Sequence, residues 1–140
     1  MATSVASFID RRIDSGALPL AVGDLVALSA ILTVGVVMHN GVDYLATFTV
    51  AWLLTLVPFL IGWAIAGPLI GAYSAGAAES AKAAIPLAVR GWIPAAIIGL
   101  GLRWTPLFEG GVALVFAAIT LVTGALALGV WRWLYFKIVG

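Results

Sequence analysis

Four apolar runs, at residues 18–38, 47–72, 85–102 and 112–136, constrain this chain more than any other feature. A helix crossing the hydrocarbon core of a bilayer needs about 20 consecutive apolar residues, and each run is of that order. Lipid offers the backbone no hydrogen-bond partners, so such a run crosses it as a helix. The composition agrees: 64% of the residues are hydrophobic and 9% charged, against roughly 45–50% and about 25% in an ordinary soluble domain. The chain reads as an all-α, polytopic integral membrane protein, a four-transmembrane-helix bundle. With 140 residues, there is room for one such domain and no appended soluble module.

The first run exceeds the apolar stretch of about 7–15 residues in a secretory signal, and it ends in Met38, His39, Asn40 and Gly41 rather than a small-residue cleavage site. It is expected to stay as the first span. Ahead of it, residues 1–17 form a separate cytoplasmic segment. Val5, Phe8, Ile9 and Ile13 share one helical face, with Ser7, Asp10, Arg11 and Asp14 on the other, which predicts a short interfacial helix. Residues 137–140 are expected to be a cytoplasmic tail. Pro58, Pro68 and Pro94 fall inside runs, where neighbouring helices can satisfy the carbonyls they free, so they are expected to bend helices without ending spans.

Lys and Arg set the orientation. Arg11, Arg12, Lys82, Arg132 and Lys137 flank one side of the alternating spans, and Arg103 alone flanks the other. That bias predicts both termini in the cytoplasm. Trp131, Trp133 and Tyr135, with Tyr73 and Trp92, would then form the inner aromatic belt, and Tyr44 and Trp104 the outer one.

Several chemistries are excluded. Without cysteine there are no disulfides, thiolate metal sites or Cys nucleophile. His39 and Asp43 are four apart, but two ligands on a solvated turn do not make a metal site. Ser74 and Ser80 have no nearby base, and no Gly-rich phosphate loop precedes a helix. No catalytic residue, metal or cofactor is expected, and the chain is read as a non-enzyme. A net charge of +1 without a basic cluster excludes nucleic acid as a partner.

The charges inside the runs are the informative exception. Asp24, Arg90 and Arg132 each lie roughly 6–9 Å inside a run end at about 1.5 Å per residue, all toward the cytoplasmic side. A charge deep in the bilayer costs about 2.5–3.5 kcal/mol on insertion scales, so Asp24 is expected to pair with Arg90 or Arg132. One acid and two arginines leave a positive charge over, and Pro94 frees the Arg90 carbonyl. Two readings are open: a cytoplasmic-side polar pocket for an anionic solute or lipid headgroup, or arginines that simply reach the headgroups while Asp24 caps or locks the helices. Packing is expected from small residues, with Gly67 and Gly71 spaced as Gly-xxx-Gly, and Ala125 and Gly129 on the face of the fourth run that carries Arg132. Such faces serve the monomer, a homo-oligomer or another membrane protein.

Gly23-Asp24 in the first run, Pro58-Phe-Leu-Ile-Gly-Trp63 and Pro68-Leu-Ile-Gly-Ala-Tyr73 in the second, Arg90 in the third, Leu102-Arg103 after it and Gly129-Val-Trp-Arg132 in the fourth together resemble a membrane family known as domain of unknown function 3054 (DUF3054). The likeness covers roughly residues 18–136. It implies a multi-pass protein of a prokaryotic plasma membrane, haloarchaeal or bacterial, with Asp24, Arg90 and Arg132 in the family pattern, and it brings no catalytic or ligand residues. The expected function is a small permease- or transporter-like bundle; the alternative is a non-transporting subunit or scaffold that packs against a larger membrane partner.

Overall fold

Each apolar run forms one helix in the computed structural model, which describes residues 13–105 and 114–139: α1 Leu18–Asn40, α2 Thr49–Ile70, α3 Ala81–Arg103 and α4 Leu114–Val139. All four are long and apolar enough to cross a membrane. The helices run through Pro58, Pro68, Pro86 and Pro94 without a break.

The helix ends follow local chemistry more closely than hydropathy. The Ser80 hydroxyl accepts the Ala83 N–H at 3.3 Å, and this cap starts α3 at Ala81, a turn before the apolar run at 85. At the other end of α1, Gly41 takes φ +89 and stops the helix just past His39 and Asn40. Helix α4 continues to Val139 and includes Lys137, whose ammonium lies 5.5 Å from the Trp133 ring centroid. Residues 1–12, which carry most of the expected interfacial helix, lie outside the described residues. Ser15–Ala17 form one 3-10 turn, capped by the Asp14 carboxylate on the Gly16 N–H at 2.9 Å. The Asp14 N–H donates to the Tyr73 carbonyl at 2.7 Å, which ties this segment to the joint between α2 and α3.

Contacts close the helices into a ring in which α2 and α3 are the most intimate pair, followed by α3 with α4, α1 with α4 and α1 with α2. Glycines permit the closest approaches. Gly62 of α2 lies directly on the Ala95 carbonyl of α3, Gly124 of α4 receives the Trp92 indole, and Gly23 of α1 receives the Trp131 indole. The expected Gly-xxx-Gly pair behaves differently. Gly67 sits against Trp63 and Tyr73, whereas Gly71 ends α2 in the left-handed region at φ +92. The Ala72 N–H then reaches the Gly67 carbonyl and the Gly71 N–H the Pro68 carbonyl, at 3.0 and 3.1 Å. That is a helix stop of the Schellman type, which glycine accommodates because it lacks Cβ. On α4 the buried stripe is Thr120, Gly124, Leu128 and Arg132. Ala125 and Gly129 flank it, half-buried, at the seam with α3.

Large apolar side chains cover the outside, among them Val26, Met38, Val50, Ile97 and Leu126. In water such a surface would drive association; in a bilayer it is the face the lipid requires. Trp104 and Trp133 are exposed, whereas Tyr73 and Trp92 are buried. Trp92 is therefore a core residue rather than part of a belt, with its indole N–H directed at the Thr120 and Leu121 carbonyls at 3.2 and 3.1 Å.

Candidate functional site

Two polar regions lie at opposite ends of the bundle. At the end shared by Asp14, the 71–80 joint and the finish of α4, Asp24 and Arg132 face each other from α1 and α4, with side chains fully buried. Arg132 Nη2 donates to Asp24 Oδ2 at 2.6 Å, Nε to Oδ1 at 3.2 Å, and Nη1 to the Ala84 carbonyl of α3 at 2.9 Å. This bidentate geometry is the strong form of a carboxylate–guanidinium contact. The Tyr73 hydroxyl donates to Asp24 Oδ2 at 2.7 Å and accepts the Trp63 indole N–H. Burial, reinforced by the Asp24 charge, pushes the Tyr73 phenol far above its ordinary value, so Tyr73 remains a donor. Side chains from α1, α2 and α4, the joint and an α3 carbonyl thus meet at one point. Among the described residues no buried side-chain nitrogen or oxygen lacks a hydrogen-bond partner.

Arg90 does not join them. It is exposed on the outer side of α3 and makes no ion pair or hydrogen bond among the described residues. The buried face of α3 is instead built from Ala84, Ala88, Gly91, Trp92, Ala95 and Gly99, and Arg90 falls off that stripe. The pair is therefore one acid with one base, both side chains fully buried.

Tyr73 and Trp63 complete the polar network. From sequence Tyr73 reads as an interfacial aromatic; what brings it inward is the reversal at Gly71, which folds the chain back over Trp63, leaving the two rings edge to face at 6.1 Å. Tyr73→Phe deletes the donor to Asp24 and leaves the indole N–H of Trp63 without an acceptor. It is expected to destabilise the bundle by about 1–3 kcal/mol, measured by unfolding in mixed micelles; no loss would mean that Arg132 alone satisfies Asp24.

A cavity of about 480 Å³ lies at the opposite end, between α1, α2, the finish of α3 and the start of α4. Its polar lining comes from His39, Asn40, Thr55, Arg103, Thr120 and Thr123. The Arg103 guanidinium stands 4.5 Å from the Phe116 ring centroid, a cation–π distance. Sequence reasoning placed Arg103 only as a flank. The readable signal for this region is the three threonines, Thr55, Thr120 and Thr123, inside otherwise apolar spans. Between the cavity and the ion pair lie the buried side chains of Leu28, Phe59, Trp92 and Leu128. Phe59 contacts both Trp92 and Phe116, at ring separations of 6.2 Å.

In comparisons with known proteins, the family described as "Protein of unknown function (DUF3054)" matches residues 21–135. No curated protein and no solved structure matches the chain.

Proposed function

We infer, for a chain that belongs to the DUF3054 family, that it is a small solute-handling membrane bundle of the permease type. In this reading the cavity at the Arg103 end is the solute vestibule and the Asp24–Arg132 pair is the lock that holds the other end closed. The observation that carries it is the place of open space: the Asp24–Arg132 pair is fully buried, while polar side chains at the other end border a cavity of about 480 Å³, a size suited to a small ligand. The lining includes the Arg103 guanidinium and His39, side chains suited to a small anion as the solute class. The bias of Lys and Arg supports placing both termini in the cytoplasm, which turns the vestibule outward.

The absence of cysteine makes single-cysteine labelling direct. Asp43→Cys is expected to react with an impermeant maleimide on intact cells, and Lys137→Cys is not. Purified protein is expected to gain thermal stability in inorganic phosphate, sulfate or small carboxylates, by about 2.7 kcal/mol at a hundred times the Kd, and Arg103→Gln to abolish that gain. If none of these anions stabilises the protein and reconstituted vesicles take up none of them, the solute reading fails. Labelling of Lys137→Cys from outside would overturn the orientation alone.

A further inference from the structure

Arg90 poses a problem that the bundle does not solve. It stands nine residues into α3, roughly 13 Å from the helix start, on the face turned to lipid and without a partner among the described residues. A charged side chain within the hydrocarbon layer is expected to face the protein interior or to find a counter-charge. Here the counter-charge has to come from outside the chain. Beside Arg90 runs an open apolar groove between α3 and α4, about 810 Å³ in volume, with Ile85, Val89 and Ile93 on one wall and Leu126, Gly129 and Trp133 on the other.

Two lysines flank the end of this groove nearer the ion pair, and Arg90 stands at its side, about 12 Å deeper than Lys82 along α3. Lys82 is exposed one turn before Ile85, Lys137 lies over the Trp133 ring at 5.5 Å, and Arg90 directly follows Val89. The nearest acid in sequence, Glu79, is exposed in the joint before α3 and makes no ion pair among the described residues. The long Arg90 side chain can reach back toward the headgroup level while its methylenes stay in the apolar layer.

We propose that the α3–α4 groove is a binding site for an anionic phospholipid, with an acyl chain along the apolar walls, Lys82 and Lys137 at the headgroup and Arg90 reaching back toward its phosphate. The charge complementarity favours this occupant over a carboxylate on another membrane helix. One carboxylate would answer one cation and leave the groove unexplained, whereas a phospholipid meets a chain-sized apolar channel, two lysines near its headgroup end and an arginine at its side. Basic pockets between spans are where anionic headgroups are recognised. The site is separate from the vestibule and does not depend on the reading of that cavity.

The test is native mass spectrometry of the detergent-purified protein titrated with phosphatidylglycerol or phosphatidylcholine. The wild type is expected to retain phosphatidylglycerol at least about tenfold more tightly. Arg90→Gln should weaken that binding about fivefold while leaving phosphatidylcholine unchanged, and Arg90→Lys should keep most of it. Gly129→Leu should weaken both lipids, since it fills the groove; a Cβ there meets only Ile85, at 3.8 Å, so the core is undisturbed. The double variant Lys82→Gln/Lys137→Gln changes two surface cations and carries the same comparison should Arg90→Gln not fold. Equal retention of the two lipids, or unchanged phosphatidylglycerol binding in the charge variants, would overturn the proposal. A loss of oligomers in Arg90→Gln with lipid retention unaltered would also overturn it, in favour of a protein carboxylate as the partner of Arg90.

Discussion

Asp24→Asn is expected to destabilise the bundle by about 3–5 kcal/mol, because it leaves the Arg132 guanidinium buried in a low-dielectric interior without its counter-ion. Arg132→Gln should cost a similar amount for the converse reason. The double variant should lose clearly less than the sum, since two neutral side chains in that position no longer strand a charge. Unfolding in mixed micelles, read as a double-mutant cycle, measures the coupling. The control is built into the fold: Asp24→Asn combined with Arg90→Gln should be additive within about 0.5 kcal/mol, because Arg90 is exposed and outside the network. Coupling of Asp24 to Arg90 in place of Arg132 would contradict the rotation of α3 described above.

Gly62→Ala is expected to be nearly as damaging, at about 3 kcal/mol, although it adds one methyl group. The new Cβ would fall on the Ala95 carbonyl, with the Ala95 carbonyl carbon at 3.1 Å and the Gly99 amide at 3.2 Å. These are backbone atoms of α3 and cannot rotate aside, so α2 and α3, the closest pair in the bundle, would have to separate. Gly101→Ala makes the comparison, since nothing lies within 4 Å of its Cβ position and alanine favours a helix by up to about 1 kcal/mol. It should be neutral or stabilising. Equal effects at the two sites would show that helix propensity, rather than the close contact, decides the response.

Much of the ion pair was legible in the sequence. Asp24, Arg90 and Arg132 stand out because charges inside apolar runs are costly, and their matching depth follows from helical rise alone. Choosing between the two arginines requires knowing which way each helix is turned. The stripe Ala84, Ala88, Gly91, Ala95 and Gly99 is a signal for α3, since small residues at steps of three and four mark a face that can approach another helix. It turns Arg90 outward. On α4 the equivalent stripe through Gly124 reaches Arg132, but a reading that favours Ala125 and Gly129 is rotated from it by a single residue. Tyr73 could not be placed in advance, because its position depends on the left-handed turn at Gly71 and on the Trp63 ring it folds against.

The amino-acid sequence by itself determined that this is an all-helical chain with four spans, near where each begins and ends, and which charges lie at membrane depth. These are properties of chain length, hydropathy and backbone hydrogen bonding, each local to its segment, and lipid leaves an apolar run little choice but a helix. Tertiary structure decided the rest: that Arg132 and not Arg90 meets Asp24, that Trp92 fills the core, and that a cavity bordered by polar side chains opens at the Arg103 end. The reason is rotation about the helix axis. Lipid is as apolar as the side chains of the core, so hydropathy does not distinguish the inward face of a span from the outward one. That choice falls to close packing, as where Gly62 meets Ala95 and Gly124 meets Trp92, and to hydrogen bonds that exist only once four helices are assembled.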